Sequence, residues 1–286
     1  MRVQWRFVAL AAMLLGMAVS APAQTVQHVH YQMLADVSAV TPGKPFRIGV
    51  RLSIDPGWHV YWTNPGDAGL PTKVTFSAPD GFAVGSVQFP TPVRMDEPGN
   101  ISLLGYENSV LITALVTPPS QLPGDFSGKF GLAVSWLVCS DECIPGKGAD
   151  SIVLPASQAS SPANTDLFDD WARQAPVDVS QSADVAAVNC SGSPGASGSP
   201  KAMEVRIDWK GAVPASVQFL PELNDVYNIG PVQVKSTAAT TWITFTVETM
   251  AGKTAGQKLQ AVVGYENQSG ERRGVIVPVF IPGSSS

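Results

Sequence analysis

Residues 130–146 have the sequence Phe130-Gly-Leu-Ala-Val-Ser-Trp-Leu-Val-Cys139-Ser-Asp-Glu-Cys143-Ile-Pro-Gly146. Large apolar residues occupy every second position from Phe130 to Val138, which is the period of a β-strand that buries one face. Three residues separate Cys139, at the end of this run, from Cys143. A turn of that length can bring the two Cα atoms within the distance that a disulfide requires. We therefore expect a β-strand whose end carries two thiols that can be joined.

Comparable runs flank this strand and predict a fold made of short β-strands. Glycine and proline, with 26 and 24 residues, separate these runs. Short strands with frequent turns favour an all-β fold, an antiparallel β-sandwich. The other strands of this part of the chain are expected at Phe46–Ile54, Val74–Phe76, Val110–Val116 and Ser151–Leu154.

Two further features predict how the chain divides into domains. Capping residues at 161–166 precede Leu167, Phe168 and Trp171 at helical spacing, which predicts one short helix that closes a first domain over residues 24–179. Residues 180–201 are small and polar, and they predict a flexible linker. A second, smaller β-sandwich domain is expected over residues 202–286, with strands at Met203–Trp209, Ala215–Leu220, Trp242–Val247, Leu259–Tyr265 and Val275–Ile281.

Two short phrases recur in both predicted domains. The phrase at Ser86–Phe89 returns at Ser216–Phe219, and the phrase at Gly105–Asn108 returns at Gly264–Asn267. Because the spacing between the phrases differs in the two halves, a duplicated sandwich and a chance similarity of strand ends both remain open.

The N-terminus has the pattern of a secretory signal peptide. Arg2 and Arg6 precede an apolar run over residues 7–19, and small residues follow at 20–23. We expect cleavage after residue 23 and a periplasmic product, with no later stretch long enough to span a membrane. The formal net charge of −5 becomes more negative once the two arginines are removed, which argues against nucleic acid and anionic lipid as partners.

The chain contains three cysteines, Cys139, Cys143 and Cys190. One disulfide and one free thiol are the simplest arrangement in an oxidising compartment. A bridge between Cys139 and Cys143 closes so few residues that it stabilises the fold only modestly, which weakens a purely structural role. Cys190 lies in the predicted linker, either as a free exposed thiol without a role or as an additional redox or intermolecular thiol.

Several phrases together resemble the periplasmic N-terminal region of the DsbD and ScsB type thiol:disulfide interchange proteins. They are Asp55-Pro-Gly-Trp-His-Val-Tyr-Trp-Thr-Asn-Pro-Gly-Asp-Ala-Gly-Leu-Pro71, Phe89-Pro-Thr-Pro-Val-Arg94, Gly105-Tyr106-Glu107 and Trp136-Leu-Val-Cys139 followed by Cys143-Ile-Pro-Gly146. The resemblance covers residues 29–154 well. It implies an immunoglobulin-like sandwich that receives electrons from a membrane-embedded cysteine pair and passes them to periplasmic thioredoxin-fold proteins. Here that membrane-embedded thiol reductant is expected to be encoded separately.

The resemblance also implies roles for individual residues. Cys139 and Cys143 match the redox pair, with Cys143 forming the mixed disulfide with the partner. Residues 95–104 match a loop that covers the pair, and Asp96 and Glu97 match its acidic residues. Pro98 replaces the aromatic residue that often covers the disulfide, so the candidate substitutes are Leu103, Leu104 and Tyr106.

The chemistry of the pair and the alternatives follow from neighbouring residues. The negative charges of Asp141 and Glu142 disfavour thiolate, so the reduced pair is expected to react mainly with a docked partner. The alternative from another class is a non-catalytic immunoglobulin-like binding or chaperone module with a structural disulfide. Neither reading requires a cofactor or a metal. Two weaker hypotheses are copper binding by His28, His30, His59, Met33 and Met95, and a sugar-binding platform of Trp58, Tyr61 and Trp62, which more simply fill the core and its rim.

Overall fold

The computed structural model describes residues 28–192, 200–253 and 258–281. The predicted signal peptide, residues 1–23, and the part of the predicted linker at 193–199 lie outside these ranges. In the part of the chain that is described, no helix has both the length and the apolar character needed to cross a membrane.

The first half of the chain forms a β-sandwich of two sheets. One sheet has the strand order β1-β2-β8-β5, and the other has the order β10-β9-β3-β7-β6 with β4 also pairing with β9. All of these pairs are antiparallel. The strands are β1 (Val29–Ala35), β2 (Phe46–Ile54), β3 (His59–Gly66), β4 (Lys73–Ser77), β5 (Ala83–Val84), β6 (Val93–Glu97), β7 (Ile101–Glu107), β8 (Ser109–Thr117), β9 (Ser127–Cys139) and β10 (Cys143–Pro155).

The core of this sandwich lies between the two sheets and is built from the alternating positions that the sequence indicates. Ile48 and Val50 of β2 face Phe130 and Val138 of β9 across this core, and all four are fully buried. The five predicted strands of this region are therefore confirmed, although β9 and β10 are longer than their apolar runs. Their outer ends continue past the core, and this extension carries both cysteines beyond the main core.

The predicted helix is confirmed as α1 (Thr165–Ala172). Its Phe168 is completely buried and lies against Gly49, where a Cβ atom would lie 3.2 Å from the phenyl ring. The Arg47 guanidinium lies over the same ring and forms ion pairs with Asp36 and Asp169. The helix therefore closes the outer face of the sheet that contains β2, on the side away from the cysteines.

The second half forms another sandwich with its own core. Its sheets have the orders β11-β19-β18-β14 and β12-β13-β17-β15, with β16 also pairing with β17. The β11–β19 pair is parallel, and the others are antiparallel. The strands are β11 (Val177–Asp178), β12 (Val185–Gly192), β13 (Lys201–Trp209), β14 (Val217–Pro221), β15 (Tyr227–Ile229), β16 (Gln233–Ser236), β17 (Thr240–Thr249), β18 (Lys258–Glu266) and β19 (Arg272–Phe280).

The prediction of a flexible linker over residues 180–201 is wrong for residues 185–192. This segment is the edge strand β12, which pairs with β13 and buries Val185. An edge strand tolerates small polar residues because its outer face and one row of backbone groups remain in water. Cys190 lies on this strand, half-buried, and its thiol donates to the carbonyl of Pro278 at 3.5 Å. The expectation of an exposed thiol is therefore also wrong, and burial raises its pKa.

The two sandwiches contact each other next to the start of β6. Arg272 donates from Nη2 to the carbonyl of Pro92 and to Gln218. Thr91 is buried beside Gly274, where a Cβ atom would lie 2.3 Å from the threonine hydroxyl. A larger residue at position 274 would therefore displace this segment. The second sandwich thus fixes residues 91–92, which lead directly into the strand that covers the cysteines.

Candidate redox site

The cysteines close the tip of the hairpin formed by β9 and β10. These strands pair in continuous register, with Cys139 directly opposite Cys143. The two sulfur atoms form a disulfide of 2.05 Å, and the Cα atoms are 4.2 Å apart. Within the turn, the amide of Ser140 donates to the carbonyl of Glu142 at 3.0 Å. The expectation that the two thiols can be joined is confirmed.

The two ends of this disulfide differ in their access to solvent. Cys139 has 2% of its surface exposed, whereas Cys143 is exposed. Cys143 also lies on β10, the edge strand of its sheet among the strands that the structure describes. Of the two cysteines, Cys143 is therefore the one that a molecule approaching from solvent can reach.

Strand alternation determines what surrounds Cys139. Val138 and Trp136 point into the main core, so Cys139 and Leu137 point to the opposite face of the sheet. On that face, Cys139 forms a small buried cluster with Tyr61 of β3 and Leu103 of β7. Leu137 and Met95 of β6 pack against this cluster. The buried end of the disulfide is therefore covered by side chains from three other strands, mostly apolar.

Two local features hold this cover in place. Residues 98–100 form the turn between β6 and β7, in which Gly99 and Asn100 have positive φ, and the hairpin sets Met95 opposite Leu103. Behind the Tyr61 ring lies Gly69, with φ of 101°, where a Cβ atom would lie 2.4 Å from the ring. Only glycine fits this approach without displacing the ring. The loop at Gly69 therefore fixes Tyr61 against Cys139.

His59 lies next to the disulfide in the same sheet. It is the register partner of Cys139 on one side and of Glu107 on the other. Its side chain is 8% exposed, and its ring lies edge-on to Tyr61 at 5.0 Å. The Nε2 atom is buried without a hydrogen-bond partner. Burial lowers the pKa of His59, and the charges of Glu97 and Glu107 oppose this shift.

Residues 26–155 match the family described as the thiol:disulfide interchange protein DsbD, N-terminal. The chain contains a DsbD-type N-terminal domain. The crystal structure of the N-terminal periplasmic domain of ScsB from Proteus mirabilis is 18% identical in sequence and aligns with a TM-score of 0.62. The alignment covers 92% of this chain and 97% of the ScsB chain. The likeness extends over both sandwiches and confirms the predicted immunoglobulin-like all-β fold.

The other comparisons add little. The reduced N-terminal domain of DsbD from Neisseria meningitidis is 12% identical and covers 46% of this chain and 89% of its own, with a TM-score of 0.26. No curated protein matches the sequence. The resemblance to DsbD and ScsB that the sequence phrases indicate therefore rests on the family match and on the ScsB fold.

Of the apolar residues predicted to cover the disulfide of this DsbD-type domain, one contacts it. Leu103 lies in the cluster around Cys139, whereas Leu104 and Tyr106 belong to the main core. The Tyr106 hydroxyl donates to the carbonyl of Pro90 at 2.7 Å, and burial raises its pKa well above the usual value. Tyr106 therefore supports the approach to β6 from inside the sandwich. Pro98 is exposed at the turn, so the aromatic cover comes from Tyr61 instead.

The predicted acidic pair is divided between two environments. Asp96 accepts hydrogen bonds from Arg94 and Ser102, and these partners lower its pKa. Burial lowers the pKa of His59 and raises that of Tyr61, and the charge of Glu97 opposes the first shift and adds to the second. Only Glu97 of this pair therefore influences the groups beside Cys139.

Sequence reasoning missed the roles of His59, Tyr61 and Leu137 in this cluster, whereas Met95 belongs to the loop at 95–104 that the resemblance sets over the pair. Their proximity to Cys139 depends on pairing between strands that are far apart in the sequence. One usable signal is the alternation in Trp58–Trp62, which sets His59 and Tyr61 on the face opposite Val60 and Trp62. The sugar-binding hypothesis is contradicted, because Tyr61 and Trp62 are each 3% exposed.

The residues proposed for copper do not assemble into a site. His28 stacks on Trp58 at 3.8 Å and lies 3.0 Å from the carboxylate of Asp55, while Met33 belongs to the main core. Within the described ranges there is no group of three or more His, Cys, Asp or Glu residues that could hold a metal ion. The chemistry of the DsbD-type site therefore rests on the disulfide and its neighbours.

Proposed function

We propose that this protein is a periplasmic thiol-disulfide exchange module that passes electrons from a membrane-embedded thiol reductant to thioredoxin-fold partners through Cys139 and Cys143. The observation that carries the proposal is the unequal disulfide at the hairpin tip, with Cys143 exposed and Cys139 buried. The family match over residues 26–155 supports the same chemistry. The N-terminal signal pattern supports the location.

The first half of the cycle reduces the domain. A thiolate of the reductant attacks the sulfur of Cys143, the Cys139–Cys143 bond breaks, and Cys139 leaves with the bonding electron pair and takes up a proton. The second thiol of the reductant then attacks the mixed disulfide. This step releases Cys143 as a thiol and leaves the reductant oxidised. The domain has gained two electrons and two protons.

The second half returns these electrons to a partner. Cys143, as thiolate, attacks the partner disulfide and forms a mixed disulfide, and the partner's other sulfur leaves as a thiolate. Cys139 then loses its proton and attacks Cys143, which re-forms the bridge and releases the reduced partner. The direction of attack follows from access, since Cys143 is exposed and Cys139 is buried.

The apolar cover explains how such a module can remain selective. Cys139 is buried among Tyr61, Leu103 and Met95, and a charged sulfur is costly in such surroundings. Small thiols are therefore expected to reduce the disulfide slowly unless the side chains that cover Cys139 move. A docked partner that displaces the β6–β7 hairpin would lift Met95 and Leu103 from Cys139 and make the exchange faster.

The surface beside Cys143 offers room for a partner. A groove of about 460 Å³ runs along β10 and is lined in part by Pro145, Gly146 and Leu70, the last of which is 59% exposed. Gly146 lies against the Trp136 ring, where a Cβ atom would lie 2.4 Å from the ring, so a larger residue at position 146 would displace this part of the groove. An apolar rim on a thioredoxin-fold partner fits this surface.

Trapping of a mixed disulfide tests the proposal. The Cys139→Ser variant, in a Cys190→Ser background that removes the third thiol, is expected to accumulate an adduct through Cys143 with an oxidised thioredoxin-fold protein. The matched Cys143→Ser variant keeps only the buried thiol and is expected to form far less. Non-reducing electrophoresis and mass spectrometry measure both adducts.

A redox titration completes the test and addresses the alternative of a structural bridge. The wild-type domain is equilibrated with a series of glutathione buffers, and the oxidised fraction is measured by thiol alkylation. An exchange-active bridge is expected above about −300 mV, the region below which inert structural disulfides are found. A lower midpoint, together with the absence of adducts from both single-cysteine variants, would establish the non-catalytic binding or chaperone module instead.

A further inference from the structure

Besides Cys143, with which Cys139 forms the disulfide, His59 is the titratable side chain that the described strands set directly opposite Cys139 in the sheet. Residues that face each other across an antiparallel pair have Cβ atoms about 4.5–5.5 Å apart and project to the same face. The imidazole is more than nine-tenths buried, and its edge-on contact with Tyr61 holds it against the ring that covers Cys139. The geometry therefore brings a proton-binding group beside the buried sulfur.

The Nε2 atom of this imidazole has no hydrogen-bond partner while the disulfide is closed. A buried polar atom without a partner is unfavourable, and such atoms in folded proteins call for an explanation. No described group supplies one: Tyr61, Leu103 and Leu137 pack through apolar surface on this face, and Glu107, the register partner on the other side, forms no hydrogen bond with Nε2. Opening the disulfide would create a thiol at Cys139, which is a donor that Nε2 lacks.

We propose that His59 Nε2 is the proton acceptor for the Cys139 thiol when the reduced domain re-forms its disulfide, and that it returns this proton when the disulfide opens. This inference rests on the exchange function proposed above. It identifies which group carries the proton that the buried cysteine must lose, a step that the apolar cover alone would make unfavourable.

The step balances in both directions. When the bridge closes, Nε2 takes the proton of Cys139, the resulting thiolate attacks the sulfur of Cys143, and the partner sulfur leaves with the electron pair of the broken bond. When the bridge opens, a reductant thiolate bonds to Cys143, Cys139 leaves with the electron pair, and His59, after taking up a proton from solution, donates that proton to Cys139. The histidine is neither oxidised nor reduced.

The charges around His59 suit this role. Burial lowers the pKa of the imidazole, so it is neutral at pH 7 and can accept a proton. The titratable groups that act on it from the adjoining strands are Glu107 of β7, Glu97 of β6, Tyr61 of β3 and Cys139 of β9. The two carboxylates favour the imidazolium that forms in the step. They therefore offset part of the decrease in the His59 pKa that burial causes.

The rate of disulfide closure in the reduced full-length protein tests the proposal, with oxidised glutathione as the probe. Cys143 first forms the glutathione adduct, and Cys139 then displaces glutathione. In wild type, the closure rate is expected to fall as the pH drops through the pKa of His59. In His59→Gln this inflection is expected to disappear and closure to slow by about 100-fold, since positioned proton transfer contributes typically 10²–10⁴-fold.

Two controls distinguish the proposed role of His59 from the proposed exchange function. His30→Gln, which removes an exposed histidine of β1, is expected to behave as wild type. Formation of the glutathione adduct in Cys139→Ser is expected to be unchanged by a further His59→Gln. Closure of His59→Gln at the wild-type rate with the same pH profile would overturn the role of His59 alone. Failure of wild type to form the adduct would overturn the exchange function itself.

A measurement on wild type alone covers the case in which the histidine variant does not fold. The ¹⁵N chemical shift of His59 Nε2 is recorded by NMR in the oxidised and reduced protein. Reduction is expected to shift this resonance, because the new Cys139 thiol donates a hydrogen bond to it, while the His30 resonances stay in place. An unchanged Nε2 resonance would overturn the proposal.

Discussion

The tips of two hairpins, one in each sandwich, are held together in different ways. The β18–β19 turn is held by the side chain of Asn267, which accepts from the amides of Ser269 and Glu271 and donates to the Glu271 carboxylate. The β9–β10 turn has one backbone hydrogen bond, between Ser140 and Glu142, and the disulfide. The first sandwich therefore uses a breakable covalent bond at a position where the second uses ordinary hydrogen bonds.

The disulfide lies at a position where few other contacts of the first sandwich depend on it. Below Cys139, strand β9 is paired continuously with β10 and also contacts β3 and β4. Its apolar face is anchored in the main core by Phe130 and Val138, both fully buried. Opening the bridge is therefore expected to release a turn and to leave the sandwich folded, as the proposed exchange function requires.

Substitution of the residues that hold the two hairpin tips gives the largest expected difference between the two sandwiches. In a Cys190→Ser background that removes the third thiol, the Cys139→Ser/Cys143→Ser double variant is expected to lose exchange with glutathione completely, whereas Asn267→Ala is expected to keep it. Loss of so short a crosslink lowers the free energy of unfolding by about 2 kcal/mol. Loss of the asparagine hydrogen bonds costs about 1 kcal/mol. Urea denaturation and an exchange assay on the same samples measure both effects.

The outcome that contradicts this comparison is also clear. If reduction of wild type unfolds the first sandwich, the disulfide is a structural crosslink rather than a reversible switch. Circular dichroism of the oxidised and reduced protein distinguishes the two cases, because the strand signal persists only if the core holds β9 without the bridge.

Two neighbouring leucines of β7 allow the cover over Cys139 to be tested separately from the main core. Leu103 and Leu104 are each 5% exposed, but Leu103 contacts Cys139 while Leu104 faces the main core. Replacement of either by alanine is expected to lower the free energy of unfolding by about 2–5 kcal/mol. Only Leu103→Ala is expected to speed reduction of the bridge by dithiothreitol several-fold, since it alone uncovers Cys139.

Thiol alkylation after timed reduction measures these rates at a temperature where both variants are folded. Equal acceleration in the two variants would show that reduction proceeds through general loosening of the sandwich. The cover would then have no specific protective role.

The sequence predicts the strands of this molecule well because each strand carries its own evidence. The alternation from Phe130 to Val138 fixes which face of β9 is buried, and the family phrases identify Cys139 and Cys143. By contrast, the neighbours of Cys139 depend on which distant strands pair with β9, and alternation within one strand contains no such information. His59 and Tyr61 were therefore missed, and Leu104 and Tyr106 were assigned to the wrong face.

The edge strand β12 shows the opposite failure. Its residues are small and polar, and this composition is typical of a linker, so the sequence alone predicts no structure there. The strand forms because β13 offers a partner for its backbone, and backbone pairing is nearly independent of side-chain type. A composition argument is therefore weakest at sheet edges, where few side chains are buried.

The adjacent carboxylates of β6 give the smallest expected effect. Asp96 has a pKa lowered by hydrogen bonds from Arg94 and Ser102, so its contribution to stability is present above the pKa of the unfolded chain and is lost as the pH falls through its folded value. Because Asp96 is exposed, Asp96→Asn is expected to cost less than about 1 kcal/mol at neutral pH. The difference from wild type should vanish in acid.

Glu97→Gln is expected to have a different and local consequence. Its charge raises the pKa of His59, so its removal is expected to lower that pKa further, while Asp96→Asn leaves it unchanged. NMR titration of the His59 ring protons in the oxidised protein measures both variants. A shift caused by Asp96→Asn as large as that caused by Glu97→Gln would mean that the whole hairpin, rather than one carboxylate, sets the electrostatic environment of the imidazole beside Cys139.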